Sequence, residues 1–395
     1  MTAKLSQHPH VCHNSSMIPP STSSTPPLNT SAQTTPAPNA AELPQLPAMS
    51  LQDLLALMKS WNMPAFRAKQ ILQWRNKGVL EPQQMRNLPA ELKQKLASEV
   101  LCQPLKLIHK QVSTDGTRKY VFALTRSRVS GKMIESVCIP EEQRGTVCIS
   151  SQVGCVLDCP FCHTGTQAFE TNLTAGEIIA QILAIKADLS ENPMPENLHN
   201  ELTHVVYMGM GEPLANEANL HQSLAMLLSE EGLHISRRRI TVSTSGLVPQ
   251  IQRLGEVFPV NLAISLHAAT DELRNELVPI NRKYPLAALR ACLDEYPLTS
   301  QRHITLEYVM LGGVNDDEKL AAALIKFANP LRERVNLIQF NTYPGSPYQG
   351  SSKENMNKFS QRLISKGIRA TLRRSRGEDI MAACGQLKAD QTLKA

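Results

Sequence analysis

Residues 155–162 read CVLDCPFC, so Cys155, Cys159 and Cys162 stand within eight residues of a chain that has nine cysteines in 395 residues. Thiolates are soft donors, suited to zinc or to iron–sulfur groups. A structural zinc site takes four ligands, usually from two separated cysteine pairs. Here one compact loop supplies three, no second pair exists, and the neighbouring His163 is placed to serve as a fourth ligand. On a four-iron cluster, three thiolates leave one iron without a protein ligand, and an open position is what catalysis needs. The spacing therefore points to a metal centre; iron–sulfur is preferred, and zinc through His163 stays open. A second feature is Gly211-Glu212-Pro213. Its carboxylate and carbonyls can accept hydrogen bonds from an ammonium group, and glycine permits close approach. By itself such a tripeptide reads as an ordinary strand-ending turn.

These residues need elements to position them. From residue 145, the segments TVCIS (146–150), THVVYMG (203–209), RITVST (239–244), VNLAISL (260–266), HITLEYVML (303–311) and VNLIQF (335–340) read as strands. Helical segments fall between them; one opens with the capping box Thr174-x-x-Glu177. Six βα units predict a parallel sheet closed wholly or partly into a barrel, with an open doubly wound sheet as the runner-up. In either fold chemistry belongs at the C-terminal ends of the strands. The cysteine loop follows the first strand, Gly211 to Pro213 follow the second, and Ser243 to Gly246 end the third.

Upstream, residues 48–103 predict a small helical module. Ser50 caps a helix with Leu51, Leu54, Leu55 and Met58 at i, i+3, i+4 and i+7; Pro64 and Gly78 bracket a second helix, and LPAELKQKLASEVL makes a third. Residues 104–140 alternate like strands around the turn pair Asp115-Gly116, with GKMIESVCIP as a third strand. Residues 1–47, rich in Ser, Thr and Pro, read as a disordered tail, and 389–395 as a short terminal one.

Composition narrows the function classes. No apolar run reaches 18 residues, which argues against a membrane span, and no charged-then-apolar leader opens the chain. The cysteines are too few and uneven for a disulfide scaffold, which favours reduced thiols in the cytoplasm. No GxGxxG opens the first βα unit, against a dinucleotide-type fold. The net charge of +6 is mild, but residues 51–100 hold eight Lys/Arg against four Asp/Glu, and TLRRSRG at 371–377 is a second basic group. Such patches suit an RNA backbone, and Arg237, Arg238, Arg239, Arg373, Arg374 and Arg376 extend the candidate surface.

CVLDCPFC resembles the CxxxCxxC signature of radical S-adenosylmethionine (SAM) enzymes. Longer runs are similar to the dual-specificity rRNA/tRNA adenine methyltransferases of the RlmN type: CISSQVGCVLDCPFCHTGTQ, YMGMGEPLANEANL, TVSTSGLVP, LAISLHAATDELRNELVPINRKYP and AACGQL. The likeness runs from about residue 50 to 388. It implies a partial (β/α)6 radical SAM barrel over 141–388, with a small N-terminal helical domain and a β-hairpin extension. It also implies a [4Fe–4S] cluster on Cys155, Cys159 and Cys162 whose open iron chelates SAM, which serves as both methyl donor and radical source. Gly211 and Glu212 would hold the methionine amine, and Ser243, Ser265, Leu266, His267 and Asn341 the rest of SAM.

The resemblance assigns three catalytic residues. Cys384 would carry the methyl group as S-methylcysteine. Cys148 would release the product by forming a disulfide with Cys384, for which the two Cα atoms must come within about 5.5 Å. Glu135 would take the proton from the adduct. Radical chemistry is required because carbon 2 of adenine is electron-poor. Cys12, Cys102, Cys138 and Cys292 match no motif and read as structural. The implied substrates are adenosines in the peptidyl-transferase centre of 23S rRNA and just 3′ of certain tRNA anticodons. A low-potential donor such as flavodoxin or ferredoxin, a monomer and a cytoplasmic location complete the expectation. The rivals are a Cfr-type enzyme acting at carbon 8 of the rRNA adenosine and a non-catalytic zinc protein that binds RNA.

Overall fold

The computed structural model of the chain describes residues 43–298 and 302–389. Helix α1 (Leu51–Ser60) starts where its cap dictates: the Ser50 hydroxyl accepts from the Asp53 N–H, and the Asp53 carboxylate accepts from Ser50. With α2 (Phe66–Asn76) and α3 (Ala90–Glu99) it closes a small core around Leu54, Met58, Ile71, Leu92 and Leu96. Leu46 is fully buried in the same core, and its N–H donates to Leu101 O at 3.2 Å. Packed structure thus begins ahead of residue 48, which corrects the expected end of the tail; an apolar Leu-Pro-Ala turn covers the module. Residues 1–42, with Cys12, and 390–395 lie outside the described residues.

Next come β1 (Leu105–Val112), β2 (Arg118–Leu124), β3 (Met133–Pro140) and β4 (Gly145–Cys148), each antiparallel to the one before. A separate two-residue hairpin, β5 (Gln152–Val153) and β6 (Thr171–Asn172), brackets the cysteine loop. The remaining chain alternates: α4 (Ala175–Glu191), β7 (His204–Tyr207), α5 (Glu217–Leu228), β8 (Ile240–Thr244), α6 (Val248–Val257) and β9 (Asn261–Ser265). It continues through α7 (Asp271–Leu277), α8 (Leu286–Glu295), β10 (Ile304–Met310), α9 (Glu318–Phe327), β11 (Glu333–Gln339), α10 (Lys353–Ser365) and β12 (Arg369–Arg373).

One ten-stranded sheet results, ordered β1-β2-β3-β4-β7-β8-β9-β10-β11-β12. From β4 onward the neighbours are parallel. The order never reverses, so the doubly wound alternative is excluded: that fold needs a switch point. Right-handed crossovers then place every helix on one face. The other face curls, because a single cavity is lined by residues of all seven parallel strands, from Thr146 on β4 to Arg373 on β12. The curl does not close, since β12 pairs with β11 alone. Five elements differ from expectation, the hairpin strands β5 and β6 among them. β12 lies in the stretch read only as a basic group, and α5 and α7 were not anticipated.

Candidate active site

The cysteine loop is pinned at its base. Pairing of β5 with β6 brings its ends together, and Cys155 bridges Ala168. Gly154 has φ +72°, and a side chain there would collide with the Ala168 carbonyl oxygen. Within the loop, Cys162 N–H donates to Cys159 O at 3.1 Å. All three thiols line one cavity of about 170 Å³ at the C-terminal strand ends. Burial pushes Cys155 up to about 12 and raises Cys159 and Cys162 too, so a bound metal must displace three protons. Among the described residues no three His, Cys, Asp or Glu side chains converge as the ligands of one ion. Three thiols spread around a cavity suit a soft, multi-atom group. His163 is engaged elsewhere: its Nδ1 donates to Gln386 O at 3.1 Å, and its ring stacks on Tyr343 at 4.5 Å.

The same upper cavity carries a polar wall. Gly211 has φ +94°, and a Cβ there would lie 2.5 Å from Gln152 Cβ, so glycine alone fits. Glu212 is buried; its carboxylate accepts from Ser245 N–H at 2.8 Å and Leu214 N–H at 3.0 Å. Burial raises its pKa to about 7, and a cation beside it would restore the full charge. Ser243 and Ser265 line the cavity from the ends of β8 and β9. His267 sits at φ +57° with Nδ1 accepting from Val309 N–H at 3.1 Å, which leaves the proton on Nε2. Burial drops its pKa to about 3, so it is a neutral donor at working pH. The Leu266 side chain packs in the main core, its carbonyl accepts from Arg274, and it lines neither cavity.

Below lies a second cavity of about 500 Å³ inside the curled sheet. Cys148, the last residue of β4, lines it, and Cys384 lines both cavities. Both are free thiols. Burial, then the neighbouring Cys384, pushes Cys148 up to about 12. Residues 381–389 carry Cys384 across the barrel mouth: Gly385 O accepts from His163 N–H at 2.8 Å, and Leu387 O from the Thr164 hydroxyl at 2.5 Å. Asn341 lines the lower cavity, not the upper, and donates to Cys384 O at 3.2 Å. Glu135 lines neither cavity. Its carboxylate pairs with Lys119 at 3.4 Å and accepts from Lys388 N–H at 3.1 Å, one residue beyond Leu387, which lines both.

Two residues that sequence reasoning missed join the cavities. Arg373 lines both, and its charge is favoured by Cys384 first, with Glu307 and Cys148 adding. Read as part of an RNA-facing patch, it is instead partly buried within the barrel. Glu307 also lines both; its Oε1 accepts from Asn336 at 3.1 Å, while Oε2 is buried without a partner. That orphaned oxygen suits a polar occupant. A charged residue at an inward strand position was the available signal for Glu307; Arg373 lies in a stretch whose basic cluster hid its strand. Arg274 and Asn315, also missed, hold the site from behind. Arg274 donates to Ser245 O at 2.7 Å and Leu266 O at 3.1 Å; Asn315 donates to His267 O at 2.9 Å.

Two family models match the chain: the radical SAM superfamily over residues 149–325 and the ribosomal RNA large subunit methyltransferase N-terminal domain over 45–101. A protein from Rhodospirillum rubrum named dual-specificity RNA methyltransferase RlmN is 46% identical over 356 residues, covering 88% of this chain and 82% of that one. One of the same name from Psychrobacter arcticus is 44% identical over 367 residues, covering 88% and 89%. The crystal structure of a radical SAM methyltransferase from Sphaerobacter thermophilus superposes with a TM-score of 0.82 at 41% identity, covering 88% of this chain and all of that one.

Proposed function

Because the chain belongs to the RlmN-type dual-specificity RNA methyltransferases of the radical SAM superfamily, we propose that it methylates carbon 2 of adenosine in both 23S rRNA and tRNA. The targets are the adenosine of the peptidyl-transferase centre and the one 3′ of the anticodon. Enzymes of this superfamily work with a [4Fe–4S] cluster and SAM, which when bound supply the methyl group and the radical that an electron-poor ring carbon demands.

The residues divide the work. Cys155, Cys159 and Cys162 hold the cluster. Gly211 gives the methionine end close access to the backbone, and Glu212 accepts from its ammonium group. Ser243, Ser265 and the His267 Nε2–H donate to the cofactor's oxygens, and Leu266, between the last two, is held by Arg274. Asn341 orients the Cys384 loop beneath the cofactor. Cys384 receives the methyl group on Sγ and carries it to the base. Cys148 then attacks the Cys384 sulfur, and the disulfide so formed frees the methylated adenosine. Glu135 accepts the ring proton; to reach it, the backbone at 387–388 must first release the carboxylate. The electron comes from a low-potential carrier such as flavodoxin or ferredoxin. The chain acts as a cytoplasmic monomer; no helix among the described residues is long and apolar enough to cross a membrane.

One observation carries this reading: Cys384 lines the cavity of the three loop thiols and the cavity of Cys148 at once. The test is anaerobic reconstitution with iron, sulfide, SAM and either an rRNA fragment or tRNA, followed by nucleoside mass spectrometry. 2-Methyladenosine is expected in both RNAs. 8-Methyladenosine without it would sink the assigned position, and a colourless zinc-loaded protein the assigned chemistry. Cys384→Ala should cleave SAM yet transfer no methyl group. Cys148→Ala should accumulate an RNA–protein adduct through Cys384, and clean turnover there would exclude the resolving role.

A further inference from the structure

The upper cavity faces the loops at the C-terminal strand ends, but the lower one opens elsewhere. Its exposed lining residues are Arg144, just ahead of β4, and Thr371 and Arg374, on and just after β12. They flank the seam between β12 and the β3–β4 hairpin, whose Val137 and Ile139 also line the cavity. The lining takes every second residue of a strand: His204 and Val206 on β7, Thr305 and Glu307 on β10, Asn336 and Ile338 on β11. The cavity therefore descends inside the sheet from Cys148 and Cys384 toward the N-terminal strand ends.

At that end basic residues follow the order of the sheet. Arg144 precedes β4, His204 opens β7, and Arg237 to Arg239 precede β8. Arg302 and His303 precede β10, Arg334 is second in β11, and Arg369 opens β12. They are neighbours in space as well. Asn261, first residue of β9, donates to Arg238 O at 2.8 Å, and Arg302 to Pro259 O at 2.6 Å. Arg369 meets the His303 ring at 2.5 Å. Burial and then Arg238 depress Arg302, while burial and then Arg334 and Arg369 depress His303. Arg144 has Glu141 as an ion-pair partner. Among the described residues, Arg237, Arg238, Arg239, Arg334 and Arg369 have no carboxylate within ion-pair distance. Five arginines without ion-pair partners, set along one end of the sheet, suit a polyanion.

We propose that this crescent of arginines docks the phosphates of the RNA backbone, and that the target adenosine enters through the seam between the β3–β4 hairpin and β12 to reach Cys384 from the N-terminal side of the strands. This rests on the chain's being an RNA methyltransferase. The cofactors then occupy one end of the barrel and the nucleic acid the other, so neither has to pass the other. The lower cavity, about 500 Å³, is of the size that takes one small molecule. It admits a single flipped-out nucleoside and no duplex.

The test uses the full chain with two charge-reversal pairs, Arg237→Glu with Arg238→Glu, and Arg334→Glu with Arg369→Glu. Affinity for tRNA and for an rRNA fragment is measured across a salt series. Each pair should weaken binding at least tenfold near 0.1 M salt, and should flatten the slope of log K against log salt by roughly 1.5 to 2. SAM cleavage without RNA and the thermal midpoint should stay as in the parent. Unchanged affinity and slope in both pairs would overturn the docking surface. A plug at the seam, Thr371→Trp or the smaller Thr371→Leu, should abolish methylation while RNA binding stays within about twofold. Unimpaired methylation in a plugged variant that still cleaves SAM would overturn the entry route. A parent protein that neither binds nor methylates either RNA would instead refute the function proposed above.

Discussion

His267 is held where it cannot take a proton. Unfolded, an imidazole titrates near 6.5; in the fold, burial drops it to about 3. Between those values the unfolded chain binds a proton that the folded chain refuses. The stability associated with neutral His267 is therefore complete above pH 6.5 and drains away as the pH falls toward 3, by up to about 1.4 kcal/mol per pH unit. His267→Gln should flatten the fall in urea stability between pH 6.5 and pH 4.5, and identical slopes in the two proteins would refute this. Gly211→Ala is expected to cost about 2 kcal/mol and to lower SAM affinity, because the new Cβ meets Gln152 at a positive φ; calorimetry with SAM reads both effects. The residues legible in the sequence were those with a motif around them. Cys155, Glu212 and Cys384 belong to such runs, whereas Glu307 is a single charge in a strand and Arg373 one of a basic group, and for both the default reading is a solvent-facing side chain.

Among the elements, α7 shows why length limits what periodicity reveals. Its seven residues are too few for a repeating apolar pattern, yet it supplies the fully buried Arg274. That guanidinium ties the turn after β8 to the end of β9 through the Ser245, Ser265 and Leu266 carbonyls. Arg274→Met should cost about 3 kcal/mol, since several buried carbonyls lose their donor. It should also weaken SAM binding beyond what lost stability explains, because Ser245 N–H anchors the Glu212 carboxylate; SAM affinity at constant folded fraction would separate the two. β12 escaped notice for a related reason. As an edge strand it is largely solvent-exposed, so its arginines mask the alternation that marks a half-buried strand. By contrast, capping boxes at Ser50 and Thr174 announced α1 and α4, because a cap is a short local motif.

At the scale of the whole molecule, alternating strands and helices predicted a parallel sheet but not its strand order, which no local pattern encodes. The joint between helical module and barrel was equally invisible. Asn76 donates to Glu231 O at 2.9 Å and Gly232 O at 2.8 Å, Lys186 donates to Asn76 O at 2.7 Å, and buried Arg75 reaches Met49 O and Glu231 O. The module has its own apolar core. Arg75→Ala should therefore uncouple it, turning one urea transition into two; a single transition with an unchanged midpoint would show that the joint lies elsewhere. The cover of the cysteine loop has a further consequence, in time. Translation delivers His163 long before its partner Gln386, 223 positions later. On the growing chain the three loop thiols emerge uncovered, while the sulfur that would carry a methyl group does not yet exist. On the assignment proposed above, cluster loading can thus precede closure of the loop by the C-terminal segment.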